Sequence, residues 1–114
     1  MQKNFKLETI LTLVTGINFT DDFNEVFELV KFVYNDRFIT STGLSLLKDD
    51  IKYYLLSIHP KLNELGYLPY SNISKNIWLD TQKKKFGDFL PVYIMENDSE
   101  KDNILKKYNY KKRN

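Results

Sequence analysis

The chain has 114 residues, room for one domain and not comfortably for two. Hydrophobic residues make up 42% and aromatics 15%, with eight Phe, eight Tyr and one Trp, so a core can form on aromatic bulk although the apolar fraction is modest. The absence of Cys excludes disulfides and cysteine-ligated zinc, and no apolar run approaches the roughly 18–20 residues of a membrane span.

The formal net charge of +2 hides an asymmetry. The last ten residues, LKKYNYKKRN, carry Lys106, Lys107, Lys111, Lys112 and Arg113 and no acid, while the preceding 104 hold twelve basic against fifteen acidic groups, or −3. A mildly acidic body, residues 1–104, followed by a basic tail, residues 105–114, is the expected division. The opening MQKNFKLE is too polar for a secretory signal, so a cytoplasmic setting is expected.

In chain order, Phe5 to Thr15 reads as a first helix with Leu7, Ile10, Leu11 and Val14 as its apolar set and Gly16 as its C-cap. Thr9, Thr12 and Thr15 interrupt the helix formers and leave a strand ending open over residues 10–14. Asp21 to Tyr34 is the strongest signal and the element around which the rest is expected to pack. Phe23, Val26, Phe27, Val30, Val33 and Tyr34 share one helical face, and Asp22 with Glu25 has the form of a capping box. Arg37 to Thr40 is read as a brief extended segment. Ser41-Thr42 offers N-caps for a third helix over residues 43–58, along which Leu44, Leu47, Ile51, Tyr54, Leu55 and Ile58 keep phase.

Pro60 stops that helix and starts a short one closed by Gly66, and the apolar loop Tyr67-Leu68-Pro69-Tyr70 that follows is expected to lie on the body. Ser71 to Phe86 reads as a further helix with Ile73, Ile77 and Trp78 inward, and with Lys83, Lys84 and Lys85 at its negative end. Leu90 to Met95 is the best strand, confined to an edge by Pro91, with Arg37 to Thr40 as its leading partner. The expected fold is therefore α+β and predominantly α: a single small domain of four to five helices with one short strand or a two-strand pairing. Phe23, Phe27 and Val30 are expected to bury against Leu47, Ile51, Leu55 and Trp78.

The order of Leu7-Glu8-Thr9-Ile10-Leu11, Thr15-Gly16, an Asp-rich amphipathic helix, Phe38-Ile39-Thr40, His59-Pro60-Lys61-Leu62, a Trp-bearing segment and Gly87-x-x-Leu90-Pro91-Val92 resembles a family of short, functionally uncharacterised phage and prophage proteins. The resemblance covers residues 5–95, and the basic tail departs from it. It implies a phage accessory context, in which small proteins act on host proteins, and it brings no catalytic residue with it.

Chemistry-bearing residues are sparse. His59 is the only histidine and precedes a proline at a helix end, so a structural role is expected and no metal or other cofactor. Asp21-Asp22 and Asp49-Asp50 are adjacent pairs, which on a helix point about 100° apart and form no site by themselves. Gly16, Gly43, Gly66 and Gly87 are isolated and make no phosphate-binding cluster. No nucleophile–base pairing is legible, and a non-enzymatic protein is expected.

Two binding readings remain. Tyr67, Tyr70 and Tyr93 lie in loop or edge positions outside the helical stripes and are the candidates for contact with a host protein, as in a counter-defence inhibitor. Lys106, Lys107, Lys111, Lys112 and Arg113, interleaved with Tyr108 and Tyr110, are the candidates for nucleic-acid binding, helped by Lys83 to Lys85, against a solvated end without a ligand as the bland reading and anionic lipid as the least expected partner.

Overall fold

The computed structural model describes residues 1–95. Its elements in order are β1 (Gln2–Lys6), α1 (Leu7–Thr15), α2 (Asn24–Tyr34), α3 (Ser41–Ile58), a 3-10 turn (Pro60–Glu64), α4 (Asn72–Phe86) and β2 (Phe89–Tyr93). The described residues are thus predominantly helical, with one two-stranded antiparallel sheet.

The partner of β2 is not Arg37 to Thr40 but β1, in the register Gln2↔Tyr93 through Lys6↔Phe89. Two local forces take the 37–40 segment away from any ladder. Asn35 ends α2 in the left-handed region with φ 51°, and the Asp36 carboxylate accepts the Phe38 N–H at 2.9 Å. Thr40, rather than Ser41 or Thr42, then caps α3 by accepting the Gly43 N–H at 3.1 Å. Phe5 accordingly belongs to a strand and not to the first helix.

The ladder continues past both strand ends, with Leu7 N–H on the Asp88 carbonyl at 2.8 Å and Ile94 N–H on the Met1 carbonyl at 3.2 Å. By antiparallel alternation, even-numbered β2 residues exchange bonds with β1, and Pro91 points its missing donor away from it. Side chains of α3 close that outer edge. The buried Tyr54 hydroxyl donates to the Tyr93 carbonyl and accepts the Tyr93 N–H at 3.2 Å. His59 Nε2 donates to the Pro91 carbonyl at 2.7 Å.

The central element is α1, not α2. It touches both strands and all three other helices. Leu7, Ile10, Leu11 and Val14 are buried as expected, and Thr9 and Thr12 are buried beside them. Those threonines are tolerated because each is satisfied. Thr9 donates to a Glu25 carboxylate oxygen at 3.1 Å, and Thr12 Oγ1 donates to the Glu8 carbonyl at 2.7 Å while accepting the Phe19 N–H at 3.0 Å.

Helix α2 buries Val26, Leu29, Val30 and Val33, a face rotated from the expected one. Bringing Leu29 inward turns Phe23 outward to 45% exposure and leaves Phe27 half-buried. The expected capping box does not form. Asp22 takes the Asn24 N–H at 3.0 Å, and Glu25 instead pairs with Lys6 at 3.3 Å as well as with Thr9.

Helix α4 begins in a Ser71–Ser74 capping box and ends before Gly87. Trp78 is half-buried and stacks on Phe19 with ring centroids 5.2 Å apart. Ile77 faces solvent, and the side chain of Ile73 lies outside the described residues. Lys83 bridges to Glu8 on α1 at 3.2 Å. The neighbouring Gln82 is buried, and its Oε1 has no hydrogen-bond partner among the described residues.

Candidate functional site

The segment between the 3-10 turn and α4 carries two of the three tyrosines singled out in the sequence. Leu62 is buried at the near end, Gly66 turns the chain with φ 75°, and Ser71 fixes the far end as the cap of α4. Between these anchors Tyr67 is 98% exposed and Tyr70 95%, with Leu68 also exposed. Both rings therefore stand in water at the full hydration cost of their apolar carbons, while the ends of the loop are held.

Tyr93 is placed differently. It lies on β2, its backbone is clasped by Tyr54, and its side chain is 40% exposed. Alternation puts Leu90 and Val92 on the core face of the sheet and Tyr93 with Phe89 on the other. The structure brings Tyr67 and Tyr70 together in one loop and leaves Tyr93 on a separate element.

The five basic residues Lys106, Lys107, Lys111, Lys112 and Arg113 lie outside the described residues, as do Tyr108, Tyr110 and the boundary at residue 104. Of the lysine triplet, Lys83 is occupied by Glu8, and Lys84 and Lys85 are exposed.

Four groups that could have carried chemistry are employed in the fold. His59 holds Pro91, Asp22 holds the start of α2, and Glu8 and Glu25 are ion-paired. Among the described residues no three His, Asp or Glu side chains gather as a metal site, and no helix is long and apolar enough to cross a membrane. The phenol of Tyr34 is shifted in acidity. Burial, and then the negative charge of Asp50, push its phenol up to about 12.

One feature escaped sequence reasoning altogether. A cleft of about 560 Å³ opens between the last turn of α1, the first turns of α2 and α3 from Ser41 as far as Lys52. Phe23 and Phe27 line it edge to face, with ring centroids 6.0 Å apart and planes at 78°. Its signal in the sequence was the apolar stripe of α2, which carries more large side chains than its buried face can accommodate.

No protein-family model, no curated protein and no solved structure matches this chain.

Proposed function

We propose that the protein is a non-enzymatic phage or prophage accessory protein that binds a host protein, in the manner of a counter-defence inhibitor, and that the loop bearing Tyr67 and Tyr70 is its contact surface. The observation that carries this reading is the exposure of two tyrosines, 98% and 95%, three positions apart in a loop fixed at both ends. Tyrosine supplies large amphipathic contact area at low entropic cost, and a loop anchored beforehand loses less freedom on binding. Tyr93, on the outer face of the sheet, is a second contact in this proposal. The phage setting rests on the resemblance over residues 5–95. The non-enzymatic part rests on the structural employment of His59, Glu8 and Glu25.

The test is capture from nuclease-treated host extract by three forms of the chain. Tyr67→Ala and Tyr70→Ala should each weaken retention of a host protein by about 2 kcal/mol, roughly thirtyfold, with the amide spectrum otherwise unchanged. Neutralising Lys106, Lys107, Lys111, Lys112 and Arg113 together should leave that retention intact. The converse pattern would overturn the tyrosine-loop reading, and nucleic-acid binding by the tail is then tested on purified duplex DNA. Affinity for duplex DNA would then fall with salt at a logarithmic slope of about −4 to −5, the value for five phosphate contacts.

A further inference from the structure

The walls of the cleft differ in chemistry. Along α3, Ser41, Ser45, Lys48 and Lys52 recur at helical spacing and form one hydroxyl and ammonium stripe down the cleft. Opposite stand Phe23 and Phe27 of α2, over a base that includes Leu13, Val26 and Leu44. The third wall is the last turn of α1, an acceptor-rich helix end that repels anions.

Charge is unbalanced on the α3 wall. Lys6, Lys31 and Lys83 each have a carboxylate partner, whereas Lys48 and Lys52 have none among the described residues. Asp49 is the single carboxylate on the lining. The N-terminal end of α3, with no acid in its first turn, adds the positive end of a helix dipole at Ser41.

We propose that this cleft binds an acidic amphipathic segment of a partner protein, seating its apolar side chains on Phe23 and Phe27 and its carboxylates on Lys48 and Lys52. The volume admits a few apolar side chains, and the half-exposed Phe23 is covered only when something fills the groove. The chain's last ten residues, with five cations and no acid, have the wrong sign for this wall, whereas residues 96–104, with four acids and one lysine, have the right one and would compete with a partner segment for it. The proposal rests on the cleft alone and stands whether or not the Tyr67–Tyr70 loop binds a host protein.

The experiment is an amide-shift titration of the full chain with designed helical peptides. One carries Leu on one face flanked by Glu, a second has Lys in place of Glu, and a third has Ser in place of Leu. The acidic peptide should shift amides within residues 12–18, 23–27 and 41–52, and should bind about tenfold or more tightly than the lysine peptide. Its advantage should shrink as salt is raised. The Ser peptide should not bind. In Lys48→Glu/Lys52→Glu, two rim changes that leave the core untouched, the preference should invert toward the lysine peptide. The proposal is overturned if acidic and basic peptides bind equally, or if the double variant keeps the acidic preference. It is equally overturned by shifts that map outside the cleft or by silence at about 1 mM peptide. Displacement of the acidic peptide by an equal concentration of dodecanoate would also overturn it, in favour of a small-amphiphile site.

Discussion

Tyr54 shows how one side chain can replace a strand. Its hydroxyl serves both the N–H and the carbonyl of Tyr93, where a third strand would otherwise have paired. Tyr54→Phe keeps the ring and leaves two backbone groups unpaired at the strand edge, so it should cost about 1–3 kcal/mol. In a domain of this size each kcal/mol lowers Tm by about 4–8 °C, which a thermal melt resolves. Tyr34 makes a different prediction, in pH. Its folded-state phenol is raised from 10.0 to about 12 by burial first and Asp50 second. The neutral form is therefore the one that folding favours. Its contribution is complete below pH 10 and is lost as pH rises through 12. A phenolate absorbance titration should contain a late-ionising component. Tyr34→Phe should reduce that component by one tyrosine, and Asp50→Asn should move Tyr34's share part of the way down. An unchanged late component in Tyr34→Phe would refute the assignment.

At the scale of elements, the rotation of α2 separates residues that the sequence grouped together. Leu29 is fully buried and should cost about 2–5 kcal/mol as Leu29→Ala. Phe27, half-buried at the cleft, should cost less than the roughly 3–5 kcal/mol of a core phenylalanine on truncation to Ala, and the more exposed Phe23 least of all. Urea denaturation of the three variants checks that order, and a costlier Phe23→Ala would place the stripe back in the core. The helices themselves were legible, because α1 and α3 each carry a periodic apolar set and a stop in Gly16 or Pro60, and α4 is bracketed by Ser71 and Gly87, although the expected inward place of Ile77 was wrong. The phase of α2 was not legible. Adding Leu29 to Val26, Val30 and Val33 turns the apolar stripe by a fraction of a turn, and nothing local decides whether Leu29 or Phe23 goes in. Strand β1 was illegible for a stronger reason. In QKNFK only Phe5 is apolar and buried, so no period of two exists to be read. That Tyr67 and Tyr70 fall outside every stripe was legible, but their loop was expected to lie on the body and instead stands in solvent, because no apolar surface of the described residues covers it. The cleft was not legible, since it depends on how three helices meet.

At the scale of the whole molecule, the described chain is closed on itself, with residue 2 paired to residue 93 and Met95 N–H on the Val33 carbonyl at 2.9 Å. Such a closure carries the loop entropy of nearly the full chain, offset by Phe5 against Phe32, with centroids 5.8 Å apart, and by Val92 in the core. Its register is what places those two residues inward, because a slip of one residue would turn Phe5 to solvent. Proline substitution reads that register directly. Lys3 lies opposite Val92, in the alternation class that bonds β2, whereas Asn4 lies opposite Pro91, in the class that points away. Lys3→Pro deletes a donor and orphans its acceptor on β2, and it should cost about 1–3 kcal/mol. Asn4→Pro removes an N–H that serves no ladder bond, at a position whose partner is already proline, and should cost well under that. Neither side chain belongs to the core, and Lys3→Ala corrects for the loss of the Lys3 ammonium that lies 5.2 Å over the Phe5 ring. Chemical denaturation of the pair decides the matter: equal costs, or a costlier Asn4→Pro, would mean that β1 and β2 are paired one residue out of step and that the ends of the domain are not held as described.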